Sequence, residues 1–155
     1  MPILRKEVRA KKSGGYLLAV LLLAVPVWAS LGQSMDSVIS DQQHLRGELR
    51  SANRDGYTVH TISSPDGTVV KEYLSPNGVV FGISWQGPTL PSLTTLLGPY
   101  FSEFQQAASG SARHRVLNIR TEHLIVESGG HMRAFHGRAY VPALVPGNLA
   151  ATVVQ

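Results

Sequence analysis

Two histidines and one glutamate in the C-terminal half are the residues whose types and spacing could support chemistry. His123 and Glu127 are four positions apart, so a strand would place them on one face, and His136 on the next strand could lie opposite them. Imidazole and carboxylate groups bind divalent metals and exchange protons near neutral pH. The trio is therefore the candidate metal or acid–base site, although these residues are more typical of a solvated strand face. The sequence accordingly predicts no metal, no cofactor and no catalytic residue.

Other arrangements that support hydrolysis are incomplete. Gly82 and Ser84 match the start of the G-x-S-x-G motif of serine hydrolases, but Gln86 replaces its last glycine. Ser84 is also expected in the middle of a strand, whereas the motif places its serine on a sharp strand-to-helix turn. Glu72 is a carboxylate available for a glycosidase pair, but its position next to Lys71 on a strand indicates a solvated charge pair. Hydrolysis is therefore not the favoured function.

Aromatic and arginine side chains provide the candidate binding residues. Such side chains anchor many interfaces, and here they are Trp85, Arg133, Arg138 and Tyr140. On an uncovered part of a sheet they could hold a peptide, a sugar chain or a partner protein. The alternative for Trp85 is a core position beneath a helix that carries Leu93, Leu96 and Leu97.

Three runs with a period of two follow Tyr57, and they are rich in β-branched and aromatic residues. Ser-Pro-Asp-Gly (64–67) and Ser-Pro-Asn-Gly (75–78) separate these runs. Proline fixes φ at the second position of a turn, and Gly67 or Gly78 accepts the positive φ that other residues resist. The repeated phrase therefore predicts two tight turns in an antiparallel meander.

The rest of the chain supplies helices and two further strands. Asp36 or Ser37 can cap a helix that runs to about Ala52, and a pair of short helices is expected between Thr89 and Gly110. Two C-terminal strands are expected to join at Ser128-Gly129-Gly130. The predicted fold is α+β, with a small antiparallel sheet of about five strands (meander plus C-terminal hairpin) and helices on one face.

The N-terminus has the pattern of an export signal. Five basic residues precede an apolar run of about 12 residues, which is shorter than the roughly 20 that a membrane span needs. Val27-Trp28-Ala29 fits the small-x-small rule, so cleavage is predicted between Ala29 and Ser30. The predicted organisation is a signal peptide (1–29), an extended segment and helix (30–56), one α+β domain (57–146) and a loose tail (147–155).

The charge balance excludes one class of partner. Of 14 Lys and Arg residues and 10 Asp and Glu residues, five basic residues and one acid precede Ser30, so nine of each remain. The high pI therefore belongs largely to the signal, and nucleic-acid binding is not indicated. The chain has no cysteine, so no disulfide can brace an exported domain and its own apolar core must stabilise it.

Two long blocks of the sequence resemble a known family. "DGTVVKEYLSPNGVVFGISWQGPTLPSLTTLLGPYF" and "HLIVESGGHMRAFHGRAYVPALVP" resemble a family of exported bacterial proteins, the domain of unknown function 2844. The layout, in which Leu31-Gly32 follows the signal directly, is similar too. The resemblance implies export in a Gram-negative bacterium and a single compact domain. It implies no activity and no catalytic residues.

These observations favour a periplasmic, non-catalytic binding or assembly factor for an envelope or secreted component, with a protein or glycan partner. Contact with the membrane is expected only through the signal segment. One alternative is a small hydrolase or metal-dependent enzyme that uses His123, Glu127 and His136. Another is a structural protein anchored in the inner membrane by an uncleaved N-terminus. For the location, secretion from the cell is a further alternative to the periplasm.

Overall fold

The computed structural model describes residues 31–109 and 116–155, so the predicted signal peptide and its cleavage point at Ala29 and Ser30 lie outside the described residues. The helices are α1 (Met35–Leu45), α2 (Leu93–Leu97) and α3 (Phe101–Ala108). The strands are β1 (Glu48–Arg54), β2 (Tyr57–Ser63), β3 (Val69–Leu74), β4 (Val80–Gly87), β5 (Leu117–Arg120), β6 (Ile125–His131) and β7 (Ala134–Tyr140). Within these ranges no helix is both long enough and apolar enough to cross a membrane.

Among the described residues, all strand pairs are antiparallel, and they form one seven-stranded sheet in the order β1-β2-β3-β4-β7-β6-β5. The α+β class is confirmed, and the predicted count of about five strands is too low because β1 and β5 were missed. The sequence predicts a helix as far as Ala52, whereas α1 ends where Arg46 adopts a left-handed φ of 49°. Gly47 then donates its N–H to Gln42 O at 3.1 Å, which closes the helix, and the chain turns into β1.

The two Ser-Pro turns are confirmed. Gly67 has a φ of 89° and donates its N–H to Ser64 O at 3.0 Å. Gly78 has a φ of 75° and donates to Ser75 O at 2.8 Å. The repeated phrase therefore forms the corners between β2 and β3 and between β3 and β4.

The predicted Gly-Gly turn is wrong in position. Gly129 and Gly130 lie inside β6, and the chain reverses at Met132 and Arg133, where Arg133 has a positive φ of 68°. Gly130 is required for a different reason, because a Cβ there would lie 2.1 Å from Ala134 O. Gly130 therefore marks a close approach of β6 and β7 rather than the hairpin turn.

The two faces of the sheet are covered differently. The helices lie on one face, which we call the helix face, where the main core contains Val38, Leu96, Leu97 and Phe104 from the helices and Ile62, Val70, Ile83 and Trp85 from the sheet. We call the opposite side the tail face, because residues 142–155 lie on it. There Val154 is buried against Tyr73, Phe81 and Tyr140.

The segment predicted to be a loose tail is packed. Within residues 147–155, Ala151–Val153 forms a 3₁₀ turn and Val154 is fully buried. A Cβ on Gly82 would lie 2.5 Å from Val154 Cγ2, so the absence of a side chain at Gly82 makes room for Val154. The missed signal was the run of apolar residues after Pro146, which buries surface on the sheet face opposite α1, α2 and α3.

Candidate functional site

A cleft of about 450 Å³ opens on the tail face over β3, β4, β7 and β6. The lining residues with polar side chains are Lys71, Ser84, Gln86, Glu127, Ser128, His136, Arg138 and Gln155. Val69, Val116 and the main chain around Gly129 supply apolar surface. Gln155 borders the cleft, so the C-terminal segment leaves this part of the sheet accessible.

Strand register explains why these residues meet. Lys71 pairs with Ser84, Ser84 with Arg138, and Arg138 with Glu127, so one row of polar residues crosses four strands. Residues directly opposite one another in an antiparallel sheet share a face, which places the whole row on the tail face.

A second row lies two residues along each strand, because side chains alternate between faces. It runs from Val69 through Gln86 and His136 to Gly129. The absence of a side chain at Gly129 leaves space beside His136, whose Nε2 would lie 3.4 Å from a Cβ there. The two rows together form a polar surface bounded by an open groove.

An ion-pair network fixes the centre of the cleft. Glu127 accepts from Arg138 through Nε at 2.8 Å and through Nη2 at 2.7 Å, and its other oxygen accepts from Arg120 at 3.0 Å. Arg138 also donates to Val154 O at 3.2 Å and lies 5.9 Å from the centre of the Tyr140 ring. Arg138 therefore joins the cleft to the packed C-terminal segment.

Hydrogen bonds to Gln155 form the border of the cleft. Lys71 Nζ donates to the main-chain oxygen of Gln155 at 3.2 Å, and the Tyr73 hydroxyl donates to the same oxygen. Gln155 N donates in return to the Tyr73 hydroxyl at 3.0 Å, and that hydroxyl lies 3.3 Å from Ser84 Oγ. Sequence analysis did not select Lys71, Ser84 or Gln86 as binding residues. These polar residues lie at alternate positions on β3 and β4, which indicates that those on each strand share a face. The sequence pattern identifies a common site only when the order of the strands is known.

Of the four predicted binding residues, the structure places Arg138 in the polar rows of the cleft. The side chain of Trp85 is 2% exposed and packs in the main core on the helix face, and Trp85 is also among the residues that line the cleft. A Cβ on Gly137 would lie 2.3 Å from Trp85 Cζ2, which shows how closely the indole covers that glycine. Tyr140 is 8% exposed and packs in the tail-face core, while Arg133 is exposed in the β6–β7 turn and borders a separate hollow.

The predicted metal trio is not brought together. β6 begins at Ile125, so His123 precedes the strand, and its Nδ1 lies 3.5 Å from Glu103 Oε1 on α3. Glu127 is held by two arginines on the tail face, and His136 is exposed beside Gly129. Within the described ranges, no group of three or more His, Cys, Asp or Glu residues could hold a metal ion.

A pair of acids lies buried on the helix face. Glu72, which the sequence predicts to be solvated, is 1% exposed because its strand position faces α1, where Asp41 is also 1% exposed. Apart from each other, neither carboxyl group has a hydrogen-bond partner within the described ranges. Burial raises the pKa of Asp41 to about 6, against the opposing effects of its hydrogen bond with Glu72 and of nearby His44. Burial and the Asp41 charge raise the pKa of Glu72 well above its usual range.

His60 lies directly across the strand pair from Glu72. Burial lowers the pKa of His60, and its Nδ1 lies 2.7 Å from Ser51 Oγ. A catalytic serine site combines a serine nucleophile, a histidine base and a carboxylate. The same residue types occur here as Ser51, His60 and the two acids. The acids, however, are sealed between α1 and the sheet, where a substrate cannot reach them.

The fold and the cleft define an α+β protein with a one-sided helical layer and a polar groove on the opposite face of the sheet. Residues 27–154 match the family described as "Protein of unknown function (DUF2844)". The match covers most of the chain, and this protein therefore belongs to that family. No curated protein and no solved structure matches the chain.

Proposed function

We propose that this protein is a periplasmic, non-catalytic binding protein that uses the tail-face cleft to hold an acidic part of an envelope or secreted component. The observation that carries the proposal is the polar row from Lys71 to Glu127, which crosses four strands beside an open groove. Binding sites are typically concave, with a few convergent polar groups on an apolar surface. The cleft has this composition.

The charges in the cleft favour an acidic ligand. Lys71 and Arg138 contribute two cations, and His136 adds a ring that can donate a hydrogen bond. Glu127 is the carboxylate of the two rows, and it is shared between Arg138 and Arg120. Lys71 donates to the main-chain oxygen of Gln155 at the border of the cleft, and its ammonium group has three donors in all.

The same contacts argue against catalysis in the cleft. Glu127 accepts from two arginines, which occupies both of its oxygens and leaves neither as a general base. Ser84 is paired with Tyr73 rather than with a histidine that could activate it. The arrangement is therefore suited to holding a ligand. The basic region, apolar run and Val27-Trp28-Ala29 of the N-terminus support export.

Filling the groove tests the proposal. Gly129 lacks a positive φ, and a Cβ there makes only ordinary contacts, so Gly129→Val should fold while occupying the groove beside His136. Gly147→Val is the matched control, because Gly147 also lacks a positive φ and a Cβ there meets nothing within 4 Å. Titration calorimetry with poly-L-glutamate, and with poly-L-lysine as the opposite charge, measures binding.

We expect poly-L-glutamate to bind the wild type and the Gly147→Val control, and to bind Gly129→Val roughly tenfold more weakly, a change of about 1.4 kcal/mol. Equal affinity of the two variants would place binding elsewhere. Failure of the wild type to bind poly-L-glutamate, or equal binding of poly-L-lysine, would contradict an acidic ligand.

A further inference from the structure

β1 is an exposed edge strand. It pairs with β2 on one side in an unbroken register from Glu48 to Arg54, and the strand order places its other side at the edge of the sheet. Six of its seven residues are exposed, and Leu49 alone is partly buried. The strand contains no proline and no bulge. Such an edge presents unpaired main-chain N–H and C=O groups that can pair with another strand.

Symmetry restricts how two copies of this strand could pair. Antiparallel pairing that keeps both helix faces on the same side needs a two-fold axis perpendicular to the sheet. One residue of β1 then lies opposite its own copy, because directly opposed residues share a face. If the two strands overlap over most of their length, the residue on the axis must be Arg50, Ser51 or Ala52.

Charge distinguishes these three registers. An axis at Arg50 places Arg50 opposite itself, and an axis at Ala52 places Arg50 opposite Arg54 of the second copy, so both registers oppose like charges. An axis at Ser51 places Glu48 opposite Arg54 of the second copy, and the symmetry repeats this pair. In that register Arg50 faces an alanine. Only the register at Ser51 matches unlike charges.

We propose that this protein forms a homodimer in which two β1 strands pair antiparallel about Ser51, joining the two sheets into one. The partner is a second copy because the charge pattern of the strand is complementary to itself. Strand addition derives its affinity from main-chain hydrogen bonds, and the side chains select the register. The cleft lies over β3, β4, β7 and β6, so the dimer leaves it open, and this inference does not depend on the ligand of the cleft.

Charge reversal at the ends of β1 tests the dimer. Glu48→Arg alone would oppose arginines at positions 48 and 54, and Arg54→Glu alone would oppose two glutamates. A mixture of these two variants restores both unlike pairs, and so does the double variant Glu48→Arg/Arg54→Glu. Glu122→Arg is the matched control, since Glu122 is an exposed glutamate in the β5–β6 connection and not on β1.

Analytical ultracentrifugation of the purified protein, as the cell processes it, measures the association. We expect a concentration-dependent dimer for the wild type and the Glu122→Arg control, and a dissociation constant weakened by roughly tenfold or more in each single β1 variant. The mixture and the double variant should recover dimerisation. Thermal unfolding identifies any variant that fails to fold, and the recovery in the mixture cannot arise from a folding defect.

Three results would overturn the dimer. One is a wild type that remains monomeric at about 100 μM, a concentration that reveals even weak pairing. Another is a dimer that is insensitive to both single substitutions, which would place the contact outside β1. The third is a mixture of the two folded variants that stays monomeric, because it would show that Glu48 and Arg54 do not face each other.

Discussion

Asp41 of α1 and Glu72 of β3 lie against each other between the helix and the sheet, and each is sealed from water. Two buried carboxyl groups in contact cannot both ionise cheaply, since their charges repel and neither is hydrated. We therefore expect the pair to hold one proton. The packing of α1 against the sheet should then be most stable while that proton is present.

Stability should fall as pH rises through the range in which the pair loses its proton. The folded pKa of Asp41 is about 6, above its ordinary 3.8, and that of Glu72 is raised above 4.5. Between the unfolded and folded pKa values the folded state binds more protons, so the free energy of unfolding decreases with pH. One pKa unit corresponds to about 1.36 kcal/mol, which gives a loss of up to about 3 kcal/mol from Asp41 between pH 4 and pH 7. Urea unfolding across this range measures the slope.

Asp41→Asn should flatten that slope and make the protein more stable than the wild type at pH 8, because an amide cannot carry the charge. Asp36→Asn is the control, since Asp36 lies on the same helix but is exposed. Because the lowered pKa of His60 gives a slope of opposite sign, the comparison with Asp41→Asn decides: identical pH slopes for the wild type and Asp41→Asn from pH 4 to pH 8 would show that the pair holds no proton.

The glycines of the two Ser-Pro turns should resist substitution. Gly67→Val and Gly78→Val should each cost more than about 1 kcal/mol, because a β-branched residue is strained at positive φ. At Gly78 a Cβ meets nothing within 4 Å, so the cost there would come from the backbone alone. Thermal unfolding, with Gly147→Val for comparison, measures the effect. Unchanged melting of both turn variants would contradict the positive φ values.

Two glycines on neighbouring strands should respond oppositely to alanine. Gly137→Ala should cost about 1–3 kcal/mol, since its Cβ would lie 2.3 Å from Trp85 Cζ2 and 2.7 Å from Glu127 O. Gly129→Ala should change stability by less than about 0.5 kcal/mol, because its Cβ faces the open cleft. Chemical denaturation of both variants tests the assignment of faces. Equal stability would mean that the indole does not cover Gly137.

Export should leave a mature chain that begins at Ser30. Leu31 is fully buried, and its N–H donates to Leu96 O at 3.1 Å, so cleavage after Ala29 would preserve this contact. Intact-mass measurement of the protein from the periplasmic fraction gives the terminus directly. Recovery of only the full-length chain from the inner membrane would support the anchored alternative instead.

The sequence predicted local backbone geometry better than it predicted which face of the sheet each side chain occupies. Gly67 and Gly78 were predicted correctly because a positive φ in a tight turn is a property of a few adjacent residues. β1 was missed because Glu48, Arg50 and Asn53 have no strand propensity, and this edge strand forms through pairing with β2. The burial of Glu72 and Trp85 depends on which face the helices cover, and no short stretch of sequence encodes that.

The candidate site shows the same limit. Arg138 was selected from sequence, whereas Lys71 and Ser84 join it only through pairing of β3 with β4 and of β4 with β7. The sequence predicted that one site would contain His123, Glu127 and His136, because it assigned His123 to the same strand as Glu127. The actual start of β6 at Ile125 separates them.

Site-specific photo-crosslinking in the native cells tests the binding cleft most directly. A photoreactive residue replaces Gln86, which lines the cleft, and in a second strain it replaces Ile39, an exposed residue of α1 on the opposite side. We expect a discrete adduct at position 86 that is absent at position 39 and is lost when Gly129→Val fills the groove. An adduct that persists with Gly129→Val, or equal adducts at both positions, would contradict a ligand-binding cleft on the tail face.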